Sequence, residues 1–329
     1  MKNKKNWLFG TLLGIVFLVA WLRIVDWNEF VNYLKNFELT KAILFSFFYI
    51  FAYFLRSLRW KIILNPIHKM KCTESFMLFM TGLLVNYIIP VRAGELAKSI
   101  ILKNKYKVRI SKSLPSVFID KITDLFPIIL IMILIPIIIV KLNTYLTIII
   151  CALFLIFLGF IAFLFFAVNH RQKAVDLLHF ILKVLPGKYR GKLEDFFENF
   201  VDGMAIMKGR VFDNILVYLI TLLAVLSEAV YIYAVFRAFG AEISYPKILF
   251  GYTLMNLTYI LPTPPAQIGS NQFMWVLIFS FALGVNENLT SAAVTFSHLL
   301  TSIWIFLTGG ISLLALKIRF HELVPSKDN

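Results

Sequence analysis

Apolar residues fill long windows at 7–25, 41–64, 114–140, 145–168, 212–239 and 289–317, each near or beyond the ~20 residues a helix needs to cross a bilayer. Two further segments are apolar but broken in the middle. One climbs over 75–89, breaks at 90–94 and continues to about 102; the other runs over 246–261, breaks at 262–266 and continues to about 283. The two breaks are versions of one phrase: Asn86-Tyr87-Ile88-Ile89-Pro90-Val91-Arg92-Ala93-Gly94-Glu95 and Thr258-Tyr259-Ile260-Leu261-Pro262-Thr263-Pro264-Pro265-Ala266-Gln267. Lipid tolerates loose backbone at such points only where it lines a protein-walled cavity. Paired breaks in corresponding places of two halves point to a transporter's substrate site. The pattern therefore predicts an all-α polytopic membrane protein with about six transmembrane helices plus two oppositely oriented re-entrant helical hairpins, an inverted repeat. Its first half covers 1–168 with a hairpin near 75–102. A linker follows over 169–211, and a second half over 212–329 carries a hairpin near 246–283.

Charge sets the sidedness, because cytoplasmic loops collect Lys and Arg. Arg56, Arg59, Lys61, Lys69 and Lys71 precede the first broken segment, and Lys98, Lys103, Lys105, Lys107, Arg109 and Lys112 follow it. Both of its ends then face the cytoplasm, so it dips to mid-bilayer and returns. The flanks of the second are lean in charge, with Arg237, Glu242 and Lys247 before it and Glu287 after it, so it dips from the opposite face. Lys4 and Lys5 at one end and Lys317, Arg319 and Lys327 at the other place both termini in the cytoplasm. A competing reading makes both segments proline-kinked full crossings, which would put the basic loop over 103–112 outside. In the linker, Leu193, Phe196, Phe197, Phe200, Val201, Met204 and Met207 form one helical stripe opposite Lys192, Glu194, Asp195, Glu198 and Asp202, the pattern of a helix lying on the membrane surface.

Composition agrees: 60% of residues are hydrophobic and the mean hydropathy is +0.80, more apolar surface than a soluble domain carries. The net charge of +15 sits in short loops beside apolar spans and no RNA or DNA motif accompanies it, so nucleic acid is not an expected partner. Cys72 and Cys151 have no CxxC or His-rich company, which supports neither a disulfide framework nor a metal site and reads as buried inert thiols. The run after Lys2, Lys4 and Lys5 lacks a small-residue cleavage site before Trp21-Leu22-Arg23, so it is an uncleaved first span. Trp7, Trp21, Trp27 and Trp60 fall near span ends, as interface-anchoring indoles do. Pro127 and Pro136 can bend the third window without implying chemistry.

Candidate chemistry gathers at the breaks. A helix resuming near Gly94, and another after Pro265, each bring free N–H groups and a positive dipole end to a hairpin tip, and two such ends aimed at one cavity make an anion site. Arg92 sits at the first tip, its planar fork suited to phosphate. Lys98 lines the route to it, and Glu95 either holds Arg92 while no ligand is bound or forms with it a purely structural ion pair. Asp120, Lys121 and Asp124 follow at helical spacing, so Asp120 shares a face with Asp124, and Lys121 with Asp124. They relay protons, bind a cation or simply neutralise Lys121 and Arg92. Aligning Val117 with Val294 sets Lys121 against His298, which is either a hydrogen-bonded core residue or a substrate contact.

The segments Pro90-Val91-Arg92-Ala93-Gly94-Glu95-Leu96-Ala97-Lys98 and Ser116-Val117-Phe118-Ile119-Asp120-Lys121-Ile122-Thr123-Asp124 resemble the P-x-R-x-G-E-x-x-R and E-R-x-x-D signatures of the flippase-like family typified by the membrane region of lysylphosphatidylglycerol synthases. Pro262-Thr263-Pro264-Pro265-Ala266-Gln267-Ile268-Gly269-Ser270-Asn271-Gln272 is similar to that family's P-x-x-P-G-x-x-G-x-x-E pattern. Lys98, Asp120 and Lys121 keep the charge of the family's residues. Ala266 replaces a glycine and Gln272 an acid, so no acidic role carries over to the second hairpin. The resemblance covers nearly the whole chain and implies movement of a charged lipid or lipid-linked precursor between leaflets.

These readings converge on a lipid translocase in the cytoplasmic (inner) membrane, taking a phospholipid or polyprenyl-type lipid into a midplane cavity between the hairpins. Its expected substrate contacts are Arg92, Gly94, Glu95, Lys98, Asp120, Lys121, Asp124, Pro262, Pro265, Gln267, Gly269, Gln272 and His298. No cofactor, metal or catalytic residue is expected. The alternatives are a membrane-embedded transferase acting on a lipid-linked substrate, disfavoured by the lack of a nucleotide-binding fingerprint, and a small-anion transporter.

Overall fold

The computed structural model describes residues 2–89, 94–138, 209–258 and 264–319, with isolated positions between 148 and 177. The window at 145–168 and the linker stripe at 193–207 fall largely or wholly outside the described residues, as do Arg92 and Pro262. Every regular element among the described residues is helical: the chain is an all-α, multi-pass membrane protein. Three described spans, Leu39–Leu64, Val211–Ala238 and Glu287–Leu316, are long and apolar enough to cross a bilayer.

Helix α1 (Lys2–Ile24) leads into a short amphipathic helix, α2 (Trp27–Lys35), that the apolar windows pass over. Asp26 starts it by accepting the amides of Asn28 and Glu29, the usual way to satisfy a first turn. Asn288 then ties α2 to the far end of the chain, accepting the Asp26 amide at 2.8 Å and donating to Glu29 at 2.5 Å. The second window is two stacked helices, α3 (Leu39–Phe45) and α4 (Phe47–Leu64), offset at Ser46. The Ser46 hydroxyl donates to the Ile43 carbonyl and accepts the Trp304 indole N–H.

The first broken segment is an antiparallel pair, α5 (Cys72–Ile88) and α6 (Gly94–Tyr106). Only glycine permits its closeness: a Cβ on Gly94 would lie 1.9 Å from the Gly82 carbonyl oxygen. Helix α7 (Ile110–Ile138) runs unbroken past Pro127. In the second half, α8 (Val211–Ala238) packs along α4. Helix α9 (Tyr245–Thr258) is followed by a 3-10 turn at Pro265–Gln267 and then α10 (Ser270–Trp275), which continues as a π-helix over Val276–Ala282. The return leg packs on α9 through Gly251, which faces Phe279 and Leu283. The second tip rests on α1, where Gly269, at φ +78°, leaves no room for a side chain beside the Gly14 carbonyl. Helix α11 (Glu287–Leu316) closes the described fold.

The core joins both halves: Trp21, Tyr231, Phe236, Phe250, Phe279 and Val294 are buried together. Outward positions such as Val16, Leu44, Phe212, Leu223 and Leu314 are large, apolar and exposed, as expected where the surrounding solvent is hydrocarbon. Three expectations change. Cys72 is exposed at the start of α5 rather than buried. Trp60 is wholly buried rather than anchored at an interface. Arg56 and Arg59 belong to the interior of α4, not to a cytoplasmic loop, because each finds a carboxylate from a distant helix.

Candidate functional site

A cavity of about 480 Å³ opens where the two hairpins approach α4, α7, α8 and α11. Arg56 and Glu228 line it beside Glu95, Lys98, Lys121 and Asp124, and the second hairpin adds Tyr252, Asn256, Gln267, Asn271 and Trp275.

The charges form one chain of contacts. Arg59, fully buried on α4, donates through Nε to Asp120 at 2.8 Å and through Nη1 to Asp124 at 2.6 Å, with Thr221 of α8 accepting a third bond at 3.3 Å. Asp120 is also fully buried, and its second oxygen lies 3.4 Å from Lys98 Nζ. Lys98 reaches Glu95 at 2.7 Å and stands over the Trp60 and Phe79 rings at 4.9 and 4.6 Å, where the aromatic faces stabilise an ammonium. Lys121 bridges Glu95 at 2.9 Å and Asp124 at 3.6 Å. Nearby, Arg56 donates to Glu228 at 2.5 Å and to the Tyr252 hydroxyl at 3.1 Å. Four cations (Arg56, Arg59, Lys98, Lys121) meet four carboxylates (Glu95, Asp120, Asp124, Glu228), so this described network is neutral. Neutrality matters because one unpaired charge at the centre of a spanning helix costs ~2.5–3.5 kcal/mol or more.

Both hairpin tips satisfy part of their own backbone. The Gly94 amide donates to Asn86 Oδ1 at 2.7 Å, and Asn86 Nδ2 donates to Glu95 at 3.3 Å. The Gly269 amide donates to Gln272 Oε1 at 3.0 Å. The first free N–H of each helix is thus taken by a side chain of its own hairpin, not left open to an anion. With its oxygen occupied, the Gln272 amide nitrogen donates to His298 Nδ1 at 3.1 Å. His298 Nε2 then carries the proton and donates to the Tyr87 hydroxyl at 2.9 Å, and Tyr87 passes on to Ser302. Pro265 and Gln267 sit in the 3-10 turn at the second tip, where Ala266 (φ 52°) and Gln267 (φ 57°) both take left-handed backbone.

The structure therefore brings Glu95, Lys98, Asp120, Lys121 and Asp124 into one cluster and sets Gln267 and His298 on the wall formed by the second half, with Gln272 bonded to His298. Sequence reasoning missed Arg56, Arg59, Glu228, Tyr252, Asn271 and Trp275. A signal for three of them was present: Arg56 and Arg59 stand three apart inside the window at 41–64, and Glu228 interrupts the window at 212–239. Among the described residues, no group of three His, Cys, Asp or Glu side chains is placed to hold a metal ion.

The sequence model of one protein family, described as the lysylphosphatidylglycerol synthase TM region, matches residues 7–309. Two relatives from Methanothermobacter thermautotrophicus strain Delta H, each named UPF0104 membrane protein, are similar over long stretches. One is 27% identical over 241 residues, 68% of either chain; the other is 24% identical over 317 residues, 92% of either chain.

Proposed function

The chain belongs to the lysylphosphatidylglycerol synthase TM region family, and from that premise we propose that it is a translocase carrying a charged or phosphate-bearing lipid, or a lipid-linked precursor, between leaflets. In this reading the two hairpins are re-entrant and dip from opposite faces, both termini are cytoplasmic, and the protein sits in the cytoplasmic membrane. The headgroup occupies the cavity between the hairpins while the acyl or prenyl tails stay in lipid. The chain acts as a carrier and not as a transferase.

The observation that carries this reading is the cavity itself: six Arg, Lys, Asp and Glu side chains face about 480 Å³ of space inside a protein whose exterior is apolar. Intramembrane charges of this kind are expensive and are kept where a pathway uses them. The Glu95 carboxylate, held by Lys98 and Lys121 at 2.7 and 2.9 Å, stands where a lipid phosphate would stand. On arrival the phosphate takes over these ammonium groups, together with Arg92, and its binding offsets the cost of drawing charge into hydrocarbon. Lys121, whose side chain is 42% exposed, is the more accessible of the two lysines.

Reconstitution into vesicles containing a fluorescent phospholipid tests this, with a membrane-impermeant quencher reading the outer leaflet. Wild type is expected to speed leaflet exchange well above protein-free vesicles, and Lys121→Ala to slow it about tenfold or more. Equal exchange with and without protein, for zwitterionic and anionic lipids alike, would overturn the reading.

A further inference from the structure

The cavity has two unlike walls. One, from α4, α6, α7 and α8, carries Arg56, Glu95, Lys98, Lys121, Asp124 and Glu228, whose charges cancel. The other, from α9, α10 and α11, presents neutral polar groups. Several of these are already occupied: His298 uses both ring nitrogens, Ser297 donates to Tyr231, and Thr301 donates to the Ser297 carbonyl.

Two are not. Asn271 and Trp275 lie one turn apart on α10 and both line the cavity. Asn271 Oδ1 and Trp275 Nε1 are buried and have no hydrogen-bond partner among the described residues, and Trp275 is only 6% exposed. Phe236 at 5.9 Å and Phe279 at 5.1 Å both stack against the indole, and they are themselves 4.9 Å apart, so they pack on one side of it. The N–H is the one polar group that the ring brings to the cavity wall. Buried polar groups of native proteins are almost always paired, so two orphans on one wall mark a missing partner. An acceptor beside a donor is the complement of a hydroxyl, which donates one bond and accepts another.

We infer that Asn271 and Trp275 form a hydroxyl-binding subsite, which makes the ligand of this cavity a polyol phosphate: the phosphate lies toward Lys98 and Lys121, and an uncharged hydroxylated moiety lies toward α10. That the polyol phosphate belongs to a lipid rests on the translocase reading; the subsite itself does not.

Binding of phosphatidylinositol and phosphatidylethanol with matched tails, titrated onto the detergent-solubilised protein and read by native mass spectrometry, isolates the hydroxyls because the singly charged phosphodiester and the tails are shared. Wild type is expected to prefer phosphatidylinositol about tenfold, or about 1.4 kcal/mol. Trp275→Phe, which keeps the ring stack, and Asn271→Ala should each cut that preference to about twofold or less while leaving phosphatidylethanol affinity unchanged, which also shows that the variants are folded. Equal binding of both lipids by wild type, as when water alone satisfies the pair, would overturn the subsite, as would a preference that survives both substitutions. Soluble inositol phosphate competing as strongly as the lipid would sink the lipid reading and leave the subsite standing. Flipping of both lipids at one rate by wild type and both variants would do the reverse.

Discussion

The two halves join their hairpins to the following long helix in the same place but with different chemistry. In the first, Glu95 of α6 meets Lys121 of α7 at 2.9 Å; in the second, Gln272 of α10 meets His298 of α11 at 3.1 Å. Alignment of Val117 with Val294 makes Lys121 and His298 counterparts. A neutral amide–imidazole contact holds the second hairpin as an ion pair holds the first, so the fold needs a polar joint there and not a charged one. The charge of the first half is then surplus to architecture. It is neutralised by a network reaching α4 and α8 rather than discarded, which fits a wall that handles a charged ligand opposite a wall that handles an uncharged one.

The largest expected effect breaks the ionic side. Arg59→Ala leaves Asp120 buried without its main counter-charge and should lower stability by about 3–5 kcal/mol, read by unfolding in mixed micelles under increasing SDS. The matching change on the neutral side, His298→Leu, leaves Tyr87 and Gln272 each short of one partner and should cost about 1–3 kcal/mol in the same assay. Equal losses in the two variants would erase the distinction between the walls. The smallest effect sharpens it at the second tip. Ala266 holds a φ of 52°, a left-handed conformation that costs a residue with a Cβ roughly 1–2 kcal/mol. Ala266→Gly should therefore raise stability by about 1 kcal/mol, a modest shift to higher SDS, and no gain would mean that this turn is not strained.

The fold was legible where apolar runs were long or broken by proline and glycine, because a bilayer permits so few solutions for the backbone. The cluster of Asp120, Lys121 and Asp124 was legible for a related reason: helical spacing alone sets Lys121 and Asp120 each on a face shared with Asp124. Arg56 and Arg59 were misread as marks of a cytoplasmic loop, since a window average does not distinguish a charge near the end of a span from one within it. Their partners come from positions 120, 124 and 228, and only the assembled helices bring them near. Gln272 looked like the loss of an acid, yet it caps Gly269 and bonds His298 without bringing a charge to the second half. The unpartnered N–H of Trp275 has no sequence signature, because it follows from how the helices around the indole assemble.

The long reach of the Arg56–Glu228 pair bears on how the protein is made. The two residues are separated by 172 positions, and at roughly 5–20 residues per second a ribosome needs roughly 10–30 s to cover that distance. During that time the arginine has left the exit tunnel and its acid does not yet exist. The second membrane segment must therefore be held by the insertion machinery, or ride high among the lipid headgroups with its guanidinium in water, until α8 arrives and lets it settle.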